Sequence, residues 1–305
     1  MVDRDDVCVL IPTRNEAETI GDVLDEFVED GFEHLLVVDG DSTDATPDVA
    51  RDRGARVVQQ SGDGKGQAIR EGLELVDQQY VLLLDGDSTY RPDQADRFLE
   101  ALADGNDHVI GNRFADMHPG AMPRLNQFGN RLINRAFGLV HGRDLGDILS
   151  GYRAFDTDAL DRFDLAADGF GIETEMSVES VKRDVTTAVV PISYEPRPSG
   201  SQANLRPFRD GAVILLTLYT LARTNNPLFY FGSLGAGSAA VGAGIAAFVA
   251  YDWFVPPRTP HNILAIVAAA AILLGVQLLI FGVLSDLVVT LHREQMRLIE
   301  RIEDD

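Results

Sequence analysis

Up to about Pro207 the chain alternates short apolar runs with segments whose apolar positions recur every three or four residues. VCVLIPT (7–13), HLLVVDG (34–40), ARVVQQ (55–60), YVLLLDG (80–86) and DHVIGN (107–112) read as strands. Between them, EAETIGDVLDEFVEDG, TPDVARDRG and KGQAIREGLELVDQ carry helical periodicity with acidic starts or glycine stops. Strand, helix, strand, repeated, predicts an α/β fold: a mostly parallel sheet with helices on both faces. Ligands of such sheets bind beyond the carboxyl ends of the strands, where Asp39 and Asp85 sit.

After Pro207 the pattern changes. FRDGAVILLTLYTLARTNNP is apolar between arginines and too short to span comfortably, so 207–226 is expected to be an interfacial helix on a bilayer surface, with a buried core helix as the alternative. Residues 228–251 and 263–285 contain no charged residue, and each exceeds the ~20 residues that cross a hydrocarbon core. The first is dense in Gly, Ala and Ser, which suits close helix packing. Joined by DWFVPPRTPH, the two predict a transmembrane hairpin within 227–290, followed by an acidic tail, 291–305. Arg223, Arg293, Arg297 and Arg301 flank its outer ends, against Arg258 in the loop. That bias places the large domain, 1–206, and both chain ends in the cytoplasm, on a two-span protein of the cell membrane.

Charge narrows the partners. The formal net charge is −22, and only Lys65 and Lys182 are lysines. Such a surface does not attract nucleic acid non-specifically. It fits a high-salt cytoplasm, where dense carboxylates keep a protein hydrated; an acidic mesophilic protein is the plainer alternative. The single cysteine, Cys8, rules out an internal disulfide. MVDRDDVCVL has no basic region followed by a long apolar stretch and is not read as a signal peptide.

YVLLLDGD delivers two carboxylates, Asp85 and Asp87, to the end of a buried strand, with Gly86 allowing the tight turn. Left alone they raise each other's pKa; a divalent cation such as Mg²⁺ or Mn²⁺ removes the conflict, its other positions filled by water and substrate phosphates. A solvated turn is the plainer reading. IPTRNEAETI follows the first strand and VVDGDSTDAT the second, side by side at one sheet edge, so a carboxylate such as Asp39 can accept from a nucleobase or ribose. Asn15, Ser42, Thr43 and Asp44 also suit plain helix capping.

PTRNE, VVDGDSTD, GKGQA, DGD, GNR, DILSGYR and YEPRPSGSQ follow in the order seen in family 2 glycosyltransferases with the GT-A fold. From about Val7 to Asn204 the chain resembles the dolichyl-phosphate hexose synthases of that family, and its tail is similar to their membrane-anchored members. With the acidic composition it looks like the haloarchaeal type that charges dolichyl phosphate with a hexose for N-glycosylation of surface-layer proteins.

The resemblance implies roles. Pro12, Arg14, Glu16, Asp39 and Asp41 would hold base and ribose, with Lys65 near the nucleotide. Asp85, Gly86 and Asp87 would meet the diphosphate, with Asp85 and Asp87 as metal ligands. The family often has Leu-Gln-His after the pair, where this chain has Ser88-Thr89-Tyr90, so Thr89 stands where a third ligand would be. Arginine forks suit an acceptor phosphate: Arg113, Arg131 and Arg197 first, then Arg153 and Arg124, although most arginines in so acidic a chain simply pair with acids. Asp147 would face donor sugar and acceptor, Ser150 and Gly151 would shape that pocket, and PRPSGSQ resembles a closing loop. Glu173 falls where the family has a helix carboxylate, structural or functional. The implied activity is inverting transfer of a hexose from a nucleotide sugar, UDP-glucose before GDP-mannose, to dolichyl phosphate in the membrane lipid. The rivals are extension of a lipid-linked glycan, a sugar-phosphate nucleotidyltransferase and a non-catalytic membrane partner of a transferase. The second lacks its Gly-rich loop in PTRNEAET, and the intact aspartate pair argues against the third.

Overall fold

The computed structural model describes residues 2–169, 171–198, 219, 226–255 and 260–303. The chain divides into two compact units, one through Leu218 and one from Tyr219.

In the first unit, β1 (Val7–Thr13) is buried at every position, as the uninterrupted apolar run predicts for a central parallel strand. It pairs in parallel with β2 (His34–Asp39) and β4 (Tyr80–Leu83), and β2 pairs in parallel with β3 (Arg56–Gln59). The register sets Thr13 beside Asp39 and Leu10 beside Leu83, so β1, β2 and β4 end at one edge. Alternate residues of β1 face opposite layers. Val7, Val9 and Ile11 pack with Ile20, Leu24 and Phe27 of α1 (Ile20–Glu29) and Phe98 and Leu102 of α4 (Ala95–Ala103). Cys8 and Leu10 pack with Ala68 and Ile69 of α3 (Lys65–Leu73) and Ile172 and Met176 of α7 (Ile172–Lys182). Helices therefore cover both faces of a mostly parallel sheet. The short α2 (Thr46–Asp52) links β2 to β3.

The sheet has seven strands where the hydrophobic pattern announced five. β6 (Arg153–Asp156) runs antiparallel between β4 and β5 (His108–Met117), and β7 (Thr187–Tyr194) runs parallel to β5, giving the order β3-β2-β1-β4-β6-β5-β7. β6 is four residues long and opens on an arginine, so it carries no readable alternation. β7 contains Pro191, which demotes a run to an edge strand, and an edge is where it sits. Two helices complete the unit, α5 (Arg124–His141) after β5 and the single turn α6 (Thr157–Leu160).

In the second unit, Pro227–Phe254 and Asn262–Leu291 are helical, long and apolar enough to cross a membrane. Glycines set their spacing: a Cβ on Gly235 would stand 2.6 Å from Gly275 O, and one on Gly242 2.7 Å from Ala268 O. Ser238 Oγ donates to Ala271 O at 2.8 Å. The small residues of the first span thus serve packing inside the hairpin. The second helix continues to Glu303. The expected interfacial helix, 207–226, lies outside the described residues apart from Tyr219 and Asn226, as do Ser199 to Gln202 of the expected closing loop.

Candidate active site

Each turn after β1, β2 and β4 contains a non-glycine residue with positive φ: Asn15 (57°), Asp41 (58°) and Ser88 (57°). Three of the four described residues of this kind lie at the same edge, and such strain persists only where neighbours hold it. Here Asn15 N–H donates to Ser42 Oγ at 2.8 Å, and Asn15 Oδ1 accepts from Thr43 N–H at 2.8 Å. Asp44 accepts from Thr46 N–H and Ala17 N–H at 3.0 and 3.3 Å. These four residues brace one turn against the next rather than capping a helix: the N-cap positions of α1 and α2 are Thr19 and Ala45, and neither makes a side-chain cap hydrogen bond. Asp39 joins them: it is buried and accepts from Ser42 Oγ at 2.6 Å and Ser42 N–H at 3.0 Å. Neither Asp39 nor the exposed Asp41 lines the adjoining cavity; Gly40 between them does, with Gln60.

That cavity, about 870 Å³, opens beyond the ends of β1 and β4 and is lined by Pro12, Arg14, Glu16, Lys65, Asp85, Gly86 and Asp87. Lys65 Nζ lies 2.5 Å from Asp85 Oδ1 and 2.6 Å from Glu173 Oε1. Burial opposes the charge on Lys65, but Asp85 and Glu173 outweigh it and raise its pKa. The glycines of GKG make this reach possible. A Cβ on Gly64 or Gly66 would stand 2.2 Å from the carbonyl oxygen of Asp168 or Ala167, so only glycine lets α3 start against that loop. Arg14 pairs with Asp63 at 2.6 Å on the cavity rim.

Asp87 is held differently. Burial first, and the Asp85 charge second, push its pKa up, while Arg197 opposes them. Arg197 ion-pairs with Asp87 and lies 3.6 Å from Glu16. It arrives there because Glu195 N–H donates to Thr89 O at 2.9 Å, docking the chain after β7 against the aspartate turn. Thr89 Oγ1 and N–H both donate to Asp87 Oδ1, at 2.5 and 3.1 Å, so the threonine orients Asp87.

Across the cavity stand the arginines. The β5–β7 register slips between Asn112 and Asp116, and Arg113 lies in this irregularity. It makes a two-pronged pair with Asp147, Nε to Oδ2 at 2.6 Å and Nη2 to Oδ1 at 2.9 Å. Asp147 is 0% exposed and Arg113 7%, and only the arginine lines the cavity. Burial works against Arg113's charge, and Asp147 more than compensates, raising its pKa.

Four residues expected at the acceptor stand elsewhere. Arg153 is fully buried; it donates to Ser150 O (2.8 Å), Ile148 O (2.7 Å) and Ser177 Oγ (3.1 Å), and burial lowers its pKa to about 10. Its donors go to the 148–150 loop, Ser177 and His108, and it does not line the cavity. Ser150 is likewise fully buried and off the cavity. Arg131 lies on the exposed side of α5 with its guanidinium 5.5 Å from the Phe114 ring centre, and Arg124 is exposed at the helix start; neither lines the cavity.

Sequence reasoning missed Tyr90, whose phenol oxygen accepts from Gly151 N–H at 2.9 Å. The contact brings Gly151 so near that a Cβ there would lie 2.7 Å from Asp85 Oδ2. Tyr90 adjoins DGDST, and that adjacency was its only signal. Also missed was the apolar end of the cavity, from Met122, Leu125, Phe128 and Ile133; nothing in α5 alone says that this face borders a site.

Asp85 and Asp87 fit a divalent cation. Both carboxylates line the cavity, burial and the Asp85 charge raise the Asp87 pKa despite Arg197, and hard oxygens suit Mg²⁺ or Mn²⁺. Among the described residues no third His, Cys, Asp or Glu completes a metal cluster. Such a cation would take its remaining oxygens from substrate phosphate and water.

One cavity at the edge of an α/β sheet thus gathers two carboxylates from the turn after β4, Arg197 paired with one of them, and Arg113. Residues 8–163 match the model of glycosyl transferase family 2. Glycosyltransferase AglJ of Haloferax volcanii is 58% identical over 300 residues, covering 98% of this chain and 99% of its own length. The dolichyl-phosphate hexose transferase of the same organism is 35% identical over 214 residues, 69% of this chain and 91% of its own. Glucosyl-3-phosphoglycerate synthase from Mycobacterium tuberculosis, crystallised with Mn²⁺, UDP and glucosyl-3-phosphoglycerate, superposes with a TM-score of 0.59 at 24% identity, covering 71% of this chain and 79% of that one. The chain belongs to glycosyl transferase family 2 and has the GT-A fold.

Proposed function

We propose that the protein moves a hexose, with inversion, from a nucleotide sugar to dolichyl phosphate at the cytoplasmic face of the cell membrane. The observation that carries this reading is the meeting in one cavity of Asp85 and Asp87, the arginines Arg14, Arg113 and Arg197, and an apolar wall from α5. The 35% identity to a dolichyl-phosphate hexose transferase supports the acceptor class. UDP-glucose is the favoured donor and GDP-mannose the second.

A divalent cation held by Asp85 and Asp87 would neutralise charge on the donor diphosphate. Pro12, Arg14 and Gly40 would border the nucleotide. Arg113, fixed by Asp147, and Arg197 would hold phosphate, one on the acceptor side and one nearer the diphosphate. An oxygen of the acceptor phosphate forms the new bond to the anomeric carbon, and the old bond's electron pair leaves with the nucleoside diphosphate. That oxygen is already anionic at neutral pH, so no general base is required. Asp147 supports this choice, since Arg113 occupies both of its oxygens; a hydroxyl acceptor would need a carboxylate free to take a proton. The arginines flanking the hairpin's outer ends support a catalytic unit and chain ends on the cytoplasmic side.

The test is transfer of labelled sugar from UDP-glucose, with GDP-mannose in parallel, by full-length protein in nanodiscs containing dolichyl phosphate and Mn²⁺ or Mg²⁺. The expected product is a β-linked dolichyl phosphate hexose whose formation stops with EDTA. Label reaching only a pre-glycosylated lipid, or persisting undiminished in EDTA, overturns the reading.

A further inference from the structure

The second span carries one polar side chain that nothing in the hairpin answers. Between Ile263 and Leu284 every residue is apolar or glycine except Gln277, and it stands at the midpoint of Asn262–Leu291. About 20 Å of helix separates it from either end, too far for its amide to snorkel out to water. Gly275 and Gly282 mark the side of this helix that meets the first span: a Cβ on Gly275 would lie 2.6 Å from Gly235 O, and one on Gly282 3.3 Å from Phe231 Cβ. Gln277 stands about 150° around the helix from both, exposed on the outer side. Its amide makes no hydrogen bond to any described residue. It belongs to a pattern on that side. Ile266, Ala270, Leu273, Gln277, Ile280 and Leu284 are all exposed and recur at alternating steps of four and three residues, and the same steps continue to Leu291. That is the spacing of a helix seam with a period of 3.5 residues, and the glutamine sits inside it.

An unpaired amide at the centre of a hydrocarbon layer is costly, and an apolar helix surface alone has no drive to associate there, because lipid tails are as apolar as leucine. We propose that this face of the second span packs against the same face of a second copy of the chain, with the two Gln277 amides hydrogen-bonded to each other. The amide is its own complement: it has a carbonyl acceptor and an NH₂ donor, so across a twofold axis each side chain donates to the other's oxygen. Two copies inserted with the same topology hold equal positions at equal depth. Glutamine therefore meets glutamine, and each apolar position of the seam meets its own counterpart. A partner of different sequence would need a polar group at that same depth, whereas a second copy always supplies one. A single polar position in an apolar seam also fixes the register, since any slip leaves both amides unpaired. The glycine contacts fill the inner face of the hairpin, which leaves the outer face for this pairing. The proposal rests on the transmembrane reading of the hairpin and not on the sugar transfer.

The test uses full-length protein in phosphatidylcholine–phosphatidylglycerol vesicles at low protein density. Single substitutions place a thiol on the seam, Leu273→Cys or Ile280→Cys, or about a third of a turn away from Gln277 on the same helix, Val276→Cys or Val283→Cys. Cys8 is buried and does not compete. Under copper–phenanthroline oxidation, disulfide-linked dimers are expected to form several-fold faster at 273 and 280 than at 276 and 283. Equal rates at all four positions, or faster linkage at 276 or 283, overturn the proposal. Energy transfer between copies labelled through Asp104→Cys, an exposed position, measures self-association as lipid is added. Gln277→Leu is expected to weaken that association about tenfold, and Gln277→Asn to keep most of it. Undiminished energy transfer in Gln277→Leu overturns the proposal as well. Gln277→Cys is expected to be protected from a membrane-impermeant maleimide. Rapid labelling there overturns both the span and the pairing, whereas protection without linkage at 273 or 280 overturns the pairing alone.

Discussion

The two sides of the cavity solve opposite electrostatic problems. At the edge of β1, β2 and β4, carboxylates crowd together, and Lys65 and Arg197 enter from α3 and from the chain after β7 to balance them. On the flank built by β5 and β6, the charges to be housed are arginines: Arg113 is locked to Asp147, and Arg153 is held by loop carbonyls and a serine hydroxyl. The counter-ions of the first side, Lys65 and Arg197, line the cavity themselves. Those of the second side are built into the interior. On the reading proposed above, the first side would receive the donor diphosphate and its metal, and the second would hold the acceptor phosphate.

Four measurements would break or sharpen this contrast. The largest effect is expected from Asp87→Ala, which should lower transfer about 10³-fold with far-ultraviolet circular dichroism unchanged. Unimpaired turnover in that variant would remove the carboxylate side from the chemistry. Asp147→Asn should act on both counts, because it strands the buried Arg113 guanidinium. A loss of about 3 kcal/mol, roughly 6–12 °C in Tm, is expected alongside about 10²-fold in transfer.

Arg153→Met separates strut from ligand. It leaves the carbonyls of Ile148 and Ser150 without their donor, at about 1–3 kcal/mol each, and should lower Tm while leaving the KM for both substrates within about threefold. A raised acceptor KM at unchanged Tm would return Arg153 to the phosphate site. The smallest effect concerns pH. Burial and Asp85 raise the Asp87 pKa above its unfolded value, so its protonated form favours folding below the ordinary aspartate range, and that contribution fades as pH rises through the folded pKa. Asp87→Asn should therefore raise Tm at pH 7 but not at pH 4, while abolishing transfer. Equal Tm changes at both pH values would contradict the placement of Asp87 in a buried, like-charged site.

Long, periodic elements were legible without coordinates. β1 matches VCVLIPT residue for residue, and α3 starts at the lysine of GKG, because buried strands and helices impose their period on the residues they contain. The aspartate pair was legible too, since it ends an apolar run. β6 was not, as four residues around an arginine carry no period, and the roles of Asp39, Ser150 and Arg153 depended on which side of a turn their atoms fell. Asp39 and Arg153 carry the right chemistry for a site and also make hydrogen bonds that brace the neighbouring loops.

By itself, then, the order of residues determined the sheet class, the two apolar spans and the paired carboxylates, because those features are local and repeat along the chain. Only the tertiary structure decided which charges meet. Lys65 reaches Asp85 and Glu173 across 20 and 108 positions of chain, and Arg197 reaches Asp87 through strand β7, which no pattern had announced. Such contacts depend on how the sheet closes its neighbours together, and the energy of a charge depends on what surrounds it rather than on what precedes it in the chain.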